Sequence, residues 1–238
     1  MRKLLLILLL FVLFIVSCGK YKSREYLADE GYELTQKDFL KSIQSSDSAA
    51  VYHFLQVGMD ANAKTQDGRS ALLIASSKND YSIAKMLLDK NANPDYAPQS
   101  GMTALMFATN RGNKKMIQLL LKHGANPNKK ELSDRTALHF ATLRGYLDSV
   151  ILLLENDANP NAKDKHGMTP IIRAAMKDYV DIAEELLKHG ADPTIRDKFR
   201  RDAFFFAKKN PNSDLAMIME KYQDSKKEKV EKDEKTVF

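Results

Sequence analysis

Few residues of this 238-residue chain have the types and spacings that chemistry requires. The single cysteine, Cys18, excludes an intrachain disulfide and a zinc site built on several thiolates. The five histidines are scattered, and none has a second ligand at metal-binding spacing: His53, His123, His139, His166 and His189. The sequence also lacks a glycine-rich phosphate loop, an H-E-x-x-H zinc motif and a G-x-S-x-G nucleophile motif. We therefore expect no catalytic residues, no metal site and no cofactor.

Cys18 follows a short apolar segment at the start of the chain. Arg2 and Lys3 precede an uninterrupted apolar run of 13 residues, from Leu4 to Val16. A helix that spans a bilayer needs roughly 20 apolar residues, so this run is more typical of the core of a secretory signal peptide. It ends in Ile15-Val16-Ser17-Cys18, which resembles the lipobox of bacterial lipoproteins.

The lipobox resemblance implies a processed and acylated N-terminus. Residues 1–17 would be removed as a signal peptide, and residues 18–33 would be the acylated Cys18 and a tether. The acyl chains would then hold the protein on a membrane of the bacterial cell envelope, with the outer membrane or periplasmic side favoured. Two alternatives remain: an ordinary secretory signal with a chance cysteine, and an uncleaved anchor.

A period of 33 residues organises most of the remaining chain. Several columns keep this spacing: Ser70, Thr103, Thr136, Thr169; Ala75, Ala108, Ala141, Ala174, Ala207; and the leucine pairs that start at Leu87, Leu120, Leu153 and Leu186. The hydroxyls predict helix N-caps, the alanines predict close helix packing, and the leucines predict the buried face of a second helix. Residues that tolerate a left-handed helix end also recur: Asn79, Gly112, Gly145, Asp178 and Asn91, Gly124, Asp157, Gly190.

These columns resemble the ankyrin repeat, whose motif D-x-x-G-x-T-P-L-H-x-A-A opens a pair of helices that a hairpin follows. The closest local matches are Thr136–Ala141 and Lys188–Pro193. The resemblance implies an all-α ankyrin-repeat solenoid over residues 34–222, made of helix-turn-helix units joined by hairpin loops. Four full repeats (67–99, 100–132, 133–165, 166–198) would lie between two degenerate capping units (34–66, 199–222). Residues 223–238 form a charged tail that we expect to be disordered, the alternative being a frayed extension of the last helix.

Two columns lie where ankyrin repeats vary and contact partners. Their members and nearby apolar residues are Lys78, Arg111, Arg144, Lys177; Arg69, Met102, Arg135, Met168, Arg201; and Leu132, Leu143, Met176. Together they predict a concave face with Lys and Arg side chains and with exposed Met and Leu. Such a face is suited to binding an acidic and partly apolar protein segment. The basic column is equally compatible with a solvated face, because like charges about 10 Å apart in water repel by only ~0.4 kcal/mol.

The sequence therefore predicts a membrane-tethered, non-enzymatic protein that binds another protein through this concave face. The alternative is an immunity or inhibitor lipoprotein that neutralises a single toxic enzyme. Nucleic acid is not an expected partner, because the formal net charge of +6 is small and spread along the chain. No small-molecule substrate is indicated either.

Overall fold

A computed structural model describes residues 18–210 and 213–236, with side chains described as far as residue 225. The predicted signal peptide, including the apolar run from Leu4 to Val16, lies outside these residues. The regular secondary structure of the described residues is helical, and a single antiparallel bridge joins Lys64 to Ser70. No helix within the described ranges combines the length and the apolar character needed to cross a bilayer.

The chain divides into two compact units, Met1–Gln99 and Ser100–Phe238. The described residues of the N-terminal unit form five helices: α1 (18–29), α2 (Gln36–Gln44), α3 (Ser48–Val57), α4 (Ala71–Lys78) and α5 (Tyr81–Asp89). Helices α2 and α4 pack side by side, and so do α3 and α5. The unit is thus built from two successive helix pairs, with α1 preceding them.

In the C-terminal unit, the residues that the structure describes form eight helices in two layers. They are α6 (Ala104–Asn110), α7 (Lys114–Lys122), α8 (Ala137–Arg144), α9 (Leu147–Leu154), α10 (Pro170–Lys177), α11 (Val180–Lys188), α12 (Ala203–Ala207) and α13 (Leu215–Thr236). Helices α6, α8, α10 and α12 pack in sequence as one layer, which we call the first-helix layer. Helices α7, α9, α11 and α13 form the second layer. This arrangement confirms the predicted all-helical stack of repeated pairs within the unit.

The ends of the helices follow from the repeated columns. The hydroxyls of Ser70, Thr103 and Thr169 accept hydrogen bonds from backbone amides three residues later, as predicted for N-caps. All eight Gly, Asn or Asp residues predicted to be left-handed have φ between 57° and 86°. The five column alanines are each no more than 1% exposed, which allows neighbouring first helices to approach closely.

The segment predicted as a tether has a different structure. Residues 18–29 form α1, and Leu27 in this helix is fully buried. The Tyr26 ring stacks on the ring of His53 in α3 at a centroid distance of 4.1 Å, and Ser23 Oγ lies 3.1 Å from His53 Nδ1. The apolar and aromatic residues of the segment thus have a surface to pack against. Because of these contacts, α1 adds a helix to the N-terminal unit.

The charged tail is also helical, since α13 runs to Thr236. Its first turns bury Leu215 and Met219, and α13 contacts α11 and α12. The helix therefore begins as part of the packed unit, where these two side chains help to cover α11 and α12. The predicted disorder of residues 223–238 was based on their composition, and the backbone of this segment continues α13 as far as Thr236.

Candidate partner-binding surface

Two arginines of the predicted binding face are paired within their own hairpins. Arg135 Nε lies 2.9 Å from Glu131 Oε1, and Arg201 Nη2 lies 2.8 Å from Asp197 Oδ2. Each guanidinium also covers an aromatic ring, that of Phe140 for Arg135 at 4.7 Å. Both arginines were expected to offer free positive charge to a partner. The structure corrects this, because a carboxylate of the same hairpin already neutralises each one.

The carboxylates of these pairs are buried and ionised. The side chain of Glu131 is 6% exposed and that of Asp197 is fully buried. Burial alone would raise the pKa of both carboxyls, but hydrogen bonds from the paired arginines and from backbone amides outweigh it, so each pKa is lowered. The Asp197 carboxylate accepts from the amides of Phe199 and Arg201, and it thereby fixes the shape of the hairpin.

Met168 was expected to be exposed, and the structure corrects this as well. Met168 is only 8% exposed, and its sulfur lies 3.8 Å from Arg173 Nη2. The same Arg173 nitrogen donates to Asp164 Oδ2 at 3.0 Å, in a pair that is almost fully buried. Arg173 Nε is buried and has no hydrogen-bond partner among the described residues. Met168 is thus buried in contact with Arg173.

The remaining residues of the hairpin column differ from one another. Arg69 pairs with Asp67 at 2.8 Å, but both side chains are more than half exposed. Met102 is half-buried. Leu132 is 62% exposed at a hairpin tip, where its amide donates to the carbonyl of Ser100 at 3.4 Å. This column therefore does not form a uniform ladder of free basic heads.

The column at the ends of the first helices keeps its charge. In the C-terminal unit, Arg111, Arg144 and Lys177 are exposed, and none of the described carboxylates lies within ion-pair distance of them. Arg144 Nε donates to Asn110 Oδ1 at 2.9 Å, which places it against the end of α6, next to Arg111. We call Arg111, Leu143, Arg144, Met176 and Lys177 the basic stripe.

The apolar members of the basic stripe are accessible. Met176 is 42% exposed beside Lys177, and Leu143 is half-buried beside Arg144. The methionine side chain is flexible and polarisable, so it adapts its shape to a partner. The stripe therefore combines positive charge with apolar contact area on three neighbouring first helices. Lys78, the equivalent residue of the N-terminal unit, is also exposed.

The N-terminal unit has a basic surface of its own. A groove of about 640 Å³ lies between α2 and the hairpin that starts at Lys64. Lys37 and Lys41 of α2 line it, together with Lys64 and Arg69 of the hairpin. The side-chain amide of Gln36 donates to the carbonyl of Lys64 at 2.8 Å and so attaches the hairpin to α2. Lys37 and Lys41 were not predicted as candidate binding residues, because the degenerate first unit lacks the motif that identifies such positions.

The histidines have structural surroundings. His139 Nε2 lies 3.1 Å from the carbonyl oxygen of Met168 in the next repeat, and burial lowers the pKa of His139 from 6.5 to about 4. His189 Nδ1 donates to the carbonyl of Glu185 at 2.9 Å. Across the ranges that the structure describes, no group of three or more His, Cys, Asp or Glu side chains is arranged to hold a metal ion.

An asparagine ladder joins successive hairpins and was not predicted from the sequence. The side chain of Asn128 donates to the carbonyl of Asp157 at 2.8 Å and accepts from the amide of Asn159 at 2.7 Å. Asn161 makes the same two bonds to the next repeat, and Asn62 makes them within the N-terminal unit. The signal was present in the sequence, because Asn62, Asn128 and Asn161 are separated by multiples of 33.

Cys18, the predicted lipidation site, is the first described residue, with an exposed and free thiol. It lies at the start of the described part of α1, ahead of the turn that contains Ser23. Any group attached to its sulfur would thus project from the start of the described part of α1, a helix of the N-terminal unit.

Comparison with known proteins agrees with this architecture. The family model for ankyrin repeats (3 copies) matches residues 40–131 and 128–197. A search of curated proteins found no match. Ankyrin repeats indicate a role in protein–protein interaction, and proteins built from them are generally non-enzymatic binding scaffolds. Because the two matches together extend from residue 40 to residue 197, more than half of its length, the chain belongs to the ankyrin-repeat proteins.

Proposed function

We propose that this protein is held on a bacterial membrane by lipid on Cys18 and binds another protein through its basic stripe. The partner segment is acidic and partly apolar. The observation that supports this most directly is the presence of three exposed basic side chains that have no carboxylate partner among the described residues, alongside the accessible Leu143 and Met176. The hairpin arginines contribute less, because their own carboxylates neutralise them.

The electrostatic argument favours a partner with several carboxylates. Arg111, Arg144 and Lys177 occupy the same position in three successive repeats, so an extended acidic segment can reach all three. Charges at such a surface raise the association rate and select against basic partners, and the methionine and leucine add apolar contact. Arg111 and Arg144 also provide planar guanidinium groups that bind a carboxylate through two parallel hydrogen bonds.

Membrane attachment is tested by replacing the cysteine. Cys18→Ala in the full-length chain should abolish incorporation of a fatty-acid analogue and leave the precursor uncleaved. The parent chain, labelled in parallel, is the positive control. Label that remains on the Cys18→Ala protein would contradict lipidation at this residue.

The binding surface is tested in two steps. A photo-crosslinking residue at Met176 should capture the partner in cells, whereas the same residue at Lys115 in the second layer should not. The captured partner is then titrated by calorimetry against chain 18–238. Arg111→Glu with Arg144→Glu should weaken binding at least 100-fold at low salt, because attraction becomes repulsion at two adjacent sites.

A matched control comes from the groove of the N-terminal unit. Lys37→Glu with Lys41→Glu changes the net charge by the same amount at another basic surface. This control should leave the affinity within a few-fold of the parent. Equal losses in the two double variants would mean that net charge alone governs binding, and a loss confined to the control would move the binding site to the groove. Either result would overturn the role proposed for the basic stripe.

A further inference from the structure

In the described part of α1, basic and acidic side chains are segregated along the helix. Basic side chains come first and acidic ones follow: Lys20, Lys22, Arg24, then Glu25, Asp29, Glu30. The helix macrodipole favours acidic residues near the N-terminus of a helix and basic residues near its C-terminus. In α1 the acidic residues lie near the C-terminal end, where the macrodipole disfavours them. Helix stability therefore does not explain this order of charges.

Helix α1 is firmly packed from Ser23 to Leu27, the stretch that leads into its acidic end. Leu27 is fully buried and Ser23 is 3% exposed, and the contacts of Ser23 and Tyr26 with His53 attach the helix to α3. The 12 residues from 18 to 29 extend about 18 Å at 1.5 Å per residue. A lipid on Cys18 would therefore keep the N-terminal unit within about one short helix of the bilayer surface.

The other end of α1 has side chains that suit the membrane interface. Lys20, Lys22 and Arg24 are exposed, and Tyr21 between them is 69% exposed. Tyrosine has an apolar ring and a polar hydroxyl, and it is enriched where hydrocarbon meets headgroups. Basic residues at the same depth are attracted to anionic lipids. The four side chains are separated from Cys18 by only one to five residues.

We infer that the first two turns of α1 are a second membrane contact, in which Lys20, Tyr21, Lys22 and Arg24 bind anionic phospholipid headgroups. We call these four residues the headgroup patch. The inference rests on the proposed attachment through Cys18, which brings the patch to the bilayer. Lipid and patch then act together, because the second contact forms at the high local concentration that the first one creates. The N-terminal unit is thereby held against the membrane surface.

The headgroup patch is tested in a protein that carries no acyl chains on residue 18. Chain 18–238 with Cys18→Ser is mixed with vesicles made of equal parts phosphatidylglycerol and phosphatidylcholine, or of phosphatidylcholine alone, and bound protein is measured by co-sedimentation at low salt. We expect binding to the anionic vesicles and little to the neutral ones. Replacing Lys20, Lys22 and Arg24 with Gln should lower the partition coefficient about 100-fold, or about fivefold for each cation. Tyr21→Ala should lower it several-fold with little dependence on salt.

The matched control removes three cations from another surface. Lys115, Lys122 and Lys129 are exposed in the C-terminal unit, and replacing them with Gln changes the net charge equally. This variant should bind anionic vesicles within about twofold of the parent. Equal binding to neutral and anionic vesicles, or equal losses in the two triple variants, would overturn the inference. Its failure is distinguishable from failure of the proposed attachment, because fatty-acid labelling of Cys18 is read separately from vesicle binding.

Discussion

His139 joins two successive repeats of the C-terminal unit through a bond to Met168. His139 Nε2 donates to the carbonyl oxygen of Met168 at 3.1 Å, while the amide of Thr136 donates to Nδ1 at 3.1 Å. Since Nδ1 accepts a hydrogen bond, the ring is neutral and its proton is on Nε2. Both nitrogens are satisfied in a residue that is 1% exposed, and a second proton would displace the Thr136 amide.

This arrangement makes stability depend on pH. The pKa of His139 is lowered from 6.5 to about 4 by burial, so the unfolded chain binds a proton below pH 6.5 that the folded chain does not take up until about pH 4. The free energy of unfolding is therefore at its full value above pH 6.5. It decreases as the pH falls from 6.5 towards 4, by about 3 kcal/mol at most. Urea unfolding across this range should show the loss.

The variant His139→Gln should remove that part of the pH dependence, because glutamine does not titrate. His166→Gln is the matched control, since it replaces an exposed histidine by the same residue. An unfolding profile with the same slope between pH 4 and 6.5 in His139→Gln and in the parent would contradict the assignment.

Asp197 should be more important for stability than Asp67, although each pairs with an arginine of its own hairpin. Asp197 is fully buried and accepts two backbone amides as well as Arg201, so Asp197→Asn should cost about 1–3 kcal/mol of unfolding free energy. Asp67 is 58% exposed, and exposed pairs contribute little, so Asp67→Asn should have no measurable effect. Chemical denaturation of both variants checks this, and a similar loss in the two would contradict it.

A glycine at a helix end can be needed for its positive φ or because a neighbouring side chain lies too close for a Cβ. A comparison of Gly145 with Gly124 distinguishes these two effects. Both have positive φ, 74° and 80°, so alanine at either position is strained by about 1–2 kcal/mol. At Gly145 an added Cβ would also lie 3.0 Å from the ring of Tyr179, whereas at Gly124 it would meet nothing within 4 Å. Gly145→Ala should therefore lower the melting temperature more than Gly124→Ala. Equal decreases in melting temperature would show that the Tyr179 ring moves aside without a cost in stability.

The sequence predicted the repeated backbone well and the side-chain pairing poorly. The turn residues and alanines each act within a few residues or against an equivalent neighbour, so the 33-residue period was sufficient to identify them. Arg135 and Arg201 depend on which acidic residue shares their hairpin, and the column of Glu131, Asp164 and Asp197 was present at the same period but was not recognised. Met168 was misjudged because its contacts are made with residues outside its own column, such as Arg173 of the following helix.

The prediction for α1 also depended on context. Its composition is charged and its apolar residues are few, so a tether was the natural interpretation of residues 18–33. Docking requires a complementary surface on α3, and one-dimensional patterning does not reveal that His53 provides it.

Leu27 should determine whether α1 stays packed on the N-terminal unit. Its side chain is fully buried, so Leu27→Ala should cost about 2–5 kcal/mol in the packing of α1. Amides of residues 18–29 and of α3 should then exchange faster with deuterium in mass spectrometry, while those of α8 and α10 should be unchanged. Tyr21→Ala is the control in the same helix, because Tyr21 is 69% exposed and its loss removes no buried contact. If amides of α1 exchange at the same rate in Leu27→Ala as in the parent, α1 is not held by this residue, and the firm connection between Cys18 and the N-terminal unit fails with it.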